Sequence, residues 1–396
     1  MPKVYDETKN VLTAALERLA LMFDRFDRVC FSVSGGKDSS VMLQLADRVA
    51  REKGKTFDAL FVDFEAQYRA TIDHIGELKK LPSVGTFYHV ALPIALRNAV
   101  SVLQPKWCCW DRAAEDLWVR PLPPDAITEA NHPFPFFRHG MEFEAFVPRF
   151  ARWYREQQGG GLVGIGIGIR SDESLKRFLT IANAKSKATF DGLPWTTQVG
   201  AGIVHAYPLY DWRTEDVWGA VAKLGLSFNR IYDAMWRNGV SFRDARLCQP
   251  YGDDQRKGLD QFRALEADTW PRVLRRVAGV NFGNIYARTE ALGVRRSTKP
   301  AGWTWERWAV FLLESLGLHN RTMMLRHVAQ IKRYLAQVEA TPTAWRRIAR
   351  AIERNDFNAR GLSAAKTRLD EERHEQKAMR RRRWLDMIDS QEDTRG

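Results

Sequence analysis

One hexapeptide constrains the fold of this chain more than any other feature of its sequence. Ser34-Gly-Gly-Lys-Asp-Ser39 directly follows the short β-branched run Arg28–Val33, and helical spacing of apolar residues begins after it. Glycines at a strand–helix junction let backbone N–H groups approach an anion, and the helix dipole and a lysine add attraction for phosphate. The segment is not a Walker A loop, because Phe31 stands where the first glycine of that motif belongs. The hexapeptide therefore predicts a phosphate-binding loop in an α/β domain.

Short apolar runs and helical periods alternate through the first half of the chain. The runs at 28–33, 58–63 and 86–91 predict strands, and the amphipathic segments at 7–26 and 67–80 predict helices. Strands that are apolar throughout and separated by helices are typical of a parallel sheet covered on both faces. We therefore predict an α/β fold, a doubly wound parallel sheet, followed by a mainly helical C-terminal region.

An irregular stretch interrupts this alternation before the sheet pattern resumes. Residues 101–150 are rich in tryptophan, proline and phenylalanine, which predicts an inserted and largely irregular lobe. The elements predicted after it are a helix (149–158), a buried strand (161–168), a last or edge strand (205–210) and a helix (214–224) capped by Thr214. Glycines alternate in the buried strand, which indicates close packing or close approach of a ligand.

This pattern predicts three domains. They are a nucleotide-binding α/β domain (1–228, with the insertion near 101–150), a helical region (229–300) and a basic helical C-terminal region (301–396).

The net charge of +13 is concentrated in the helical part of the chain. Residues 1–229 carry 28 basic and 27 acidic side chains, whereas 230–300 carry 14 and 8, and 301–396 carry 19 and 13. A basic region favours polyanionic partners, so nucleic acid is one candidate partner for these helices.

The four cysteines and eight histidines limit the cofactors that we expect. Their spacing suits neither a zinc site nor an iron–sulfur cluster, so neither cofactor is expected. Sparse cysteines fit a reducing cytoplasm. No stretch of about 18 apolar residues occurs, so no membrane partner is expected.

The hexapeptide resembles the signature of the PP-loop ATP pyrophosphatases, a superfamily that includes the PAPS reductases. That resemblance implies an adenine nucleotide alpha-hydrolase-like fold and cleavage of ATP between its α and β phosphates, which adenylates a substrate. The resemblance implies that the phosphates lie on Ser34, Gly35, Gly36, Lys37, Asp38 and Ser39. Asp38 is the candidate magnesium ligand, because Mg²⁺ prefers hard oxygen ligands.

Two further segments resemble nucleotide-binding parts of the superfamily. Asp63 follows the second predicted strand, where it could contact ribose or metal, and a capping acid in a β–α loop is an equal alternative. The segment Ile167–Ser174 resembles the arginine-containing loop of the PAPS reductases. Arg170 could clamp a phosphate or sulfate there, and Asp172 joins the predicted nucleotide-binding residues. Lys37, Asp38 and Arg170 form the predicted catalytic set.

The C-terminal half resembles the IbrA-like subgroup, whose typical partner is a ParB-like protein, IbrB. The matching segments are Cys248–Gly258, Asn281–Tyr286 and Trp345–Asp356. Gln249–Gly258 could close over a nucleotide, and an ordinary solvated loop fits it equally.

Three hypotheses about function result from these motifs. The leading one is a cytoplasmic, ATP-dependent transferase that binds Mg-ATP, adenylates an acceptor and releases pyrophosphate. The second is a PAPS reductase or sulfur-transfer enzyme, which needs a nucleophilic cysteine. The chain lacks the Cys-Gly-x-His type of motif and has no cysteine after Cys248. The third is a nucleotide-responsive regulator that binds nucleic acid without turnover.

Overall fold

The computed structural model describes most of the chain, which forms two compact units. The described residues are 9–99, 104, 106–157, 159–173, 175–182, 188–247, 249–252, 259–277, 299–319, 321–353, 356, 359 and 361–392. The first unit comprises Met1–Arg97 and Lys106–Arg276, and the second comprises Asn98–Pro105 and Val277–Gly396. No helix of the described residues is long and apolar enough to cross a membrane.

The first unit contains both sheets. Its strands are β1 (Arg28–Val33), β2 (Phe57–Val62), β3 (Val84–Val90), β4 (Ile94–Arg97), β5 (Lys106–Cys108), β6 (Met141–Glu142), β7 (Val163–Ile167), β8 (Thr196–Gly200) and β9 (Ile203–Ala206). Its helices are α1 (Val11–Arg25), α2 (Lys37–Lys53), α3 (Arg69–Leu78), α4 (Phe143–Glu156), α5 (Leu175–Ala182), α6 (Thr214–Leu224), α7 (Ile231–Arg237), α8 (Leu259–Leu265) and α9 (Trp270–Arg276), with a 3₁₀ helix over Arg112–Leu117.

The described strands form a six-stranded sheet in the order β3-β2-β1-β7-β9-β8. All neighbours are parallel except β8, which pairs antiparallel with β9. The chain builds outward from β1 to β3 and then returns to the other side of β1 with β7. Open α/β sheets bind ligands at the carboxyl ends of the strands where the order reverses in this way. The predicted α/β fold with a mainly parallel sheet is confirmed.

Helices cover both faces of this sheet. On one face, apolar residues of α1, α2, α3 and α6 pack with β1 and β2 into a single core. On the other face, α4 brings Phe150 and Trp153 edge-on to Tyr88 of β3, with ring centroids 5.3 and 5.8 Å apart. Because both faces are buried, the strands can be apolar throughout, as their sequence shows.

The alternating glycines of β7 are required by packing. A Cβ atom on Gly164 would lie 2.3 Å from the ring of Phe26, and one on Gly166 would lie 2.3 Å from the ring of Phe31. Any other residue would therefore push the two rings out of the core.

Two of the predicted elements differ in the structure. The helix predicted over 149–158 begins at Phe143 and contains Pro148, so this proline does not mark the helix start. The strand predicted over 205–210 is β9, which ends at Ala206 and is an inner strand. The edge strand on this side of the sheet is β8, which the sequence analysis missed because its last three residues are exposed and it has no apolar run.

A smaller sheet is formed by β4 together with two strands of the inserted segment 106–142, which is called the lobe below. Its described strands have the order β5-β4-β6, in which β4 pairs antiparallel with β5 and parallel with β6.

In the described part of the second unit, the regular structure is helical. Its helices are α10 (Trp305–His319), α11 (Arg321–Leu335), α12 (Pro342–Glu353) and α13 (Ala364–Glu392). Ala309, Ile331 and Ile348 are among the residues of its apolar core. Arg347 of α12 is partly buried and forms an ion pair with Asp370 of α13.

Candidate nucleotide-binding site

The predicted phosphate loop connects β1 to the first turn of α2. Gly35 has φ +73°, and a Cβ atom there would lie 2.7 Å from Cγ2 of Thr71. A glycine is needed at this position both for the backbone conformation and for the space. Ser34 is exposed and Gly36 is partly exposed, so one side of the loop is accessible.

Side chains of the loop itself hold its shape. Ser39 Oγ donates to the carbonyl of Gly36 at 3.1 Å, and it accepts the N–H of Ser34 at 3.2 Å. The hydroxyls of Ser34 and Ser39 lie 3.1 Å apart. The structure thus brings the predicted residues 34–39 into one braced turn at the N-terminus of α2.

Two residues from the far side of the sequence complete this turn. Asn229 is fully buried, and its Nδ2 donates to the carbonyl of Gly35 at 3.1 Å. The Tyr232 hydroxyl accepts the N–H of Lys37 at 3.0 Å. The sequence analysis missed both, because a loop asparagine and a helical tyrosine carry no signal of a contact nearly 200 residues away.

Lys37, Asp38 and Arg170, the predicted catalytic set, lie together and are called the phosphate-loop cluster below. Lys37 Nζ is 3.3 Å from Asp38 Oδ2, and Arg170 Nε donates to Asp38 Oδ1 at 2.5 Å. Lys37 and Arg170 are 5% and 2% exposed. Within the cluster, two buried cations share one carboxylate, and the next carboxylate, that of Asp172, is half exposed at 3.9 Å from Arg170, so the buried charge is positive in surplus.

Arg170 reaches Asp38 because β7 approaches the loop closely. A Cβ atom on Gly168 would lie 2.9 Å from Cα of Ser39, so glycine permits this approach. The remaining nitrogens of Arg170 donate to the Trp212 carbonyl at 3.4 Å and to Thr214 Oγ1 at 3.3 Å. A buried guanidinium needs such partners for its N–H groups.

The predicted capping role of Thr214 is wrong. Arg213 is the N-cap residue of α6, and its N–H donates to the carboxylate of Asp216 at 2.7 Å. Thr214 lies within the first turn, where its hydroxyl accepts from Arg170 instead.

A charged cleft of about 640 Å³ lies beside the phosphate-loop cluster. Its lining cations are Lys37, Arg170, Arg213, Arg243 and Arg246, and its lining carboxylates are Asp172, Glu173, Glu215 and Asp216. The predicted residue Asp172 is half exposed there, 3.9 Å from Arg170.

One cleft carboxylate has a shifted pKa. Burial raises the pKa of Glu173, although Arg177 at 3.0 Å opposes the shift. A carboxylate with a raised pKa in a cleft is a candidate acid or base.

Asp63 lies in a different and fully enclosed network. Its Oδ2 lies 2.9 Å from Nε2 of His89, and its Oδ1 accepts from Arg120 and from the N–H of Glu65. Burial by itself raises the pKa of Asp63, but Arg120 and His89 together outweigh it and lower this pKa to about 2. Asp63 is fully buried, so direct contact with a ribose or a metal would require the surrounding side chains to move.

Glu65, two residues later, anchors the lobe. Its backbone has φ +66°, and its carboxylate forms a two-bond ion pair with Arg276 at 2.7 and 3.0 Å. The same carboxylate accepts the N–H groups of Trp110 and Val119 at 2.8 and 3.1 Å. We call Asp63, Glu65, Arg120 and Arg276 the lobe-anchoring cluster. The sequence analysis missed this role of Glu65, since its partners lie 45 to 211 residues away.

The described cysteines do not suit nucleophilic attack. Burial raises the pKa of Cys108 to about 12 and holds the pKa of Cys30 and of Cys109 well above the usual value. These thiols are protonated at neutral pH, whereas the thiolate is the nucleophile. Cys248 lies outside the described residues, as do positions 253–258 of the predicted loop Gln249–Gly258.

The donors near the loop fit a magnesium ion that is held largely by phosphates. Asp38 is the carboxylate within the phosphate-loop cluster, and both of its oxygens face cations. Mg²⁺ commonly binds through one or two carboxylates together with substrate phosphates and water. The cluster suits that arrangement rather than a cage of protein ligands.

Comparison with known proteins identifies the family. Residues 28–91 match the Phosphoadenosine phosphosulfate reductase domain, and residues 239–341 match a Domain of unknown function, DUF3440. The chain is 37% identical over 377 residues to the Uncharacterized protein YbdN of Escherichia coli (strain K12), and the match covers 91% of each chain. The chain belongs to the YbdN family. The match to the reductase domain includes the phosphate loop at residues 34–39. The first unit of this YbdN-family chain therefore has a PAPS reductase-like, PP-loop nucleotide-binding domain.

Several solved structures resemble the YbdN-family fold at low identity. PAPS reductase from Candida auris, a phosphate complex, is 16% identical with a TM-score of 0.31, over 56% of this chain and 84% of that chain. Candida glabrata FMN adenylyltransferase with FMN and AMPCPP is 16% identical with a TM-score of 0.31, over 58% and 63%. The U34-tRNA thiolase NcsA from Methanococcus maripaludis is 11% identical with a TM-score of 0.31, over 75% and 87%.

Proposed function

We propose that this PP-loop protein binds Mg-ATP on residues 34–39 and cleaves it between the α and β phosphates. The acceptor attacks the α phosphorus, the bond to the bridging oxygen breaks, and pyrophosphate leaves with the bonding electrons. The observation that carries the proposal is the phosphate-loop cluster, in which one buried cation is in surplus at the wall of a polar cleft of 640 Å³. That cleft has room for the reacting phosphates and an acceptor group.

Each residue of the loop has a role in this proposal. The loop amides and Lys37 bind the departing pyrophosphate, and Lys37 moves from Asp38 to a phosphate oxygen when the nucleotide enters. Asp38 would hold Mg²⁺, which neutralises phosphate charge when it is bound. Arg170 fixes Asp38 and orients the α phosphate, with Asp172 near the nucleotide.

The cleft supplies the acceptor side of the reaction. Glu173 lines it with a raised pKa and would take the proton that the acceptor loses on attack. Arg243 forms an exposed ion pair with Glu215 at 2.7 Å, and Arg246 donates to the carbonyl of Glu173 at 2.8 Å. This polar lining favours a polar or anionic acceptor.

The decisive experiment measures phosphorus products from labelled Mg-ATP with the purified full chain. We expect pyrophosphate, and Lys37→Ala should reduce its release roughly 100-fold or more because a charge on the leaving group loses its partner. Lys55→Ala, an exposed lysine beyond the end of α2, is the matched control and should behave like the unchanged protein. Formation of ADP and orthophosphate, or full activity of Lys37→Ala, would contradict the proposal.

We also propose that the protein is IbrA-like and that the basic helical part selects a ParB-like partner or nucleic acid. The support is the net charge of +6 on each of 230–300 and 301–396. Pyrophosphate release measured with and without the ParB-like protein tests the first partner. Nucleic-acid binding that does not weaken with rising salt would exclude an interaction with the phosphate backbone.

A further inference from the structure

Three side chains of the lobe form a second group of potential ligands, separate from the phosphate-loop cluster. Cys108 ends β5, Asp111 caps the 3₁₀ helix, and His139 precedes β6. Their Sγ, carboxylate oxygen and ring nitrogen all lie within 4.8 Å of one another. A thiol, a carboxylate and an imidazole at this separation can reach one ion after small side-chain movements.

The orientation of His139 matches that of a metal ligand. Its Nδ1 lies 2.9 Å from the carboxylate of Glu129, and its Nε2 lies 3.8 Å from Asp111 Oδ1. Metal-binding histidines usually donate their second ring N–H to a carboxylate or carbonyl, which fixes the tautomer. A proton on Nδ1 that is donated to Glu129 leaves the Nε2 lone pair directed toward Asp111.

The other two ligands are held by the backbone of the lobe. Trp110 has φ +53°, which turns the chain between Cys108 and Asp111. The carbonyl of Cys108 accepts from Arg276 at 2.6 Å, and that of Asp111 accepts from Trp118 Nε1 at 3.0 Å. These two residues are therefore positioned before an ion arrives, whereas the half-exposed His139 can close over it.

One of the three ligands is accessible from solvent. His139 lines an open cleft of about 450 Å³ together with Arg138 and Glu142, so an ion can reach its ring from that side.

We propose that Cys108, Asp111 and His139 bind Zn²⁺, with water as the fourth ligand, and that the ion joins the two ends of the lobe. Thiolate and imidazole ligands select zinc over Mg²⁺ and Ca²⁺, which prefer oxygen. On binding, the Cys108 thiol releases its proton to solvent and the thiolate sulfur coordinates the ion. The site lies outside the nucleotide loop and does not depend on the adenylation proposal.

The test uses the full chain after removal of metal with a chelator. Titration with Zn²⁺ should show one site in which Cys108, Asp111 and His139 participate, and zinc should raise the melting temperature. Titration with Co²⁺ should give a thiolate-to-cobalt charge-transfer band. Cys108→Ser should abolish the band, and the exposed His139→Ala should weaken zinc binding at least 10-fold. Glu129→Ala should weaken it roughly 10-fold, because it removes the acceptor that orients His139.

Asp116→Asn is the matched control, since Asp116 is an exposed aspartate of the same 3₁₀ helix. It should bind zinc like the unchanged protein. The proposal is overturned if no charge-transfer band forms, or if the band persists in Cys108→Ser. Loss of the band in Cys248→Ser, with retention in Cys108→Ser, would assign the metal to a different site.

Discussion

The phosphate-loop cluster and the lobe-anchoring cluster are both built from ion pairs, and both lie at the carboxyl-terminal end of the strands of the six-stranded sheet. Both follow the carboxyl ends of parallel strands, and both join aspartate or glutamate to buried arginine. They differ in charge balance and in surroundings. The first has two cations on Asp38 and lines a cleft, whereas the second pairs two carboxylates with two arginines.

We expect this difference to distinguish a cluster that binds a ligand from a cluster that anchors the lobe. In a balanced, enclosed set, each charge already has a partner of opposite sign. Such a set holds the lobe and has little attraction for a ligand. An unbalanced set beside a cleft gains when an anion arrives, because the surplus cation then finds a partner. Burial alone does not distinguish the two clusters, since Lys37 and Arg170 are as buried as Arg120 and Arg276.

The largest expected effect is on the lobe-anchoring cluster. Glu65→Gln leaves the Arg276 guanidinium buried without its counter-charge, so we expect a loss of about 3–5 kcal/mol in the free energy of unfolding. Urea denaturation followed by fluorescence measures it. Glu17→Gln, which removes an exposed ion pair with Lys9, is the control and should change stability little.

A double variant sharpens this test. When Arg276→Met is added to Glu65→Gln, no unpaired charge remains. The double variant should therefore lose less stability than the sum of the losses measured for the two single variants. Strict additivity would show that the ion pair is not what anchors the lobe.

The next effect is the pH dependence of Asp63. Its pKa is about 2 in the folded protein, below the ordinary aspartate value of 3.8, so the folded state favours the charged form. The resulting stabilisation is fully present above the unfolded pKa and is lost as pH falls from about 4 to about 2, by about 2 kcal/mol in total. Unfolding free energies of the unchanged protein and Asp63→Asn should therefore converge by this amount over that range. Parallel pH profiles would contradict the low pKa.

The local part of the site could be predicted from the sequence. Residues 34–39 are contiguous, and their glycines and hydroxyls brace the loop through contacts no more than five residues apart. Arg170 was also predicted, because it follows a recognisable buried strand and parallel strands bring their carboxyl ends together.

The long-range part could not be predicted in this way. Tyr232, Asn229 and Arg276 have no distinguishing sequence pattern, and their contacts span roughly 160 to 210 residues. The ligands Cys108 and His139 are likewise separated by most of the lobe, so their spacing resembles no zinc motif. Such contacts depend on tertiary packing, which a single sequence does not display.

The smallest effect that we predict concerns the Tyr232 hydroxyl, which accepts the Lys37 N–H at 3.0 Å. Tyr232→Phe keeps the ring and removes this acceptor, so the ligand-free protein should lose about 1 kcal/mol of stability. A bound phosphate would have to displace the hydroxyl from that N–H, and the variant no longer bears this cost. We therefore expect ATP affinity to rise up to roughly 5-fold in Tyr232→Phe, the conversion of that same 1 kcal/mol. Equilibrium dialysis with labelled ATP measures the change.

The control is Tyr207→Phe, which removes a buried hydroxyl beside Thr197 and should leave ATP affinity unchanged. A fall in affinity for Tyr232→Phe would mean that the hydroxyl itself contacts the nucleotide, and that the loop is completed by the helical half of the chain.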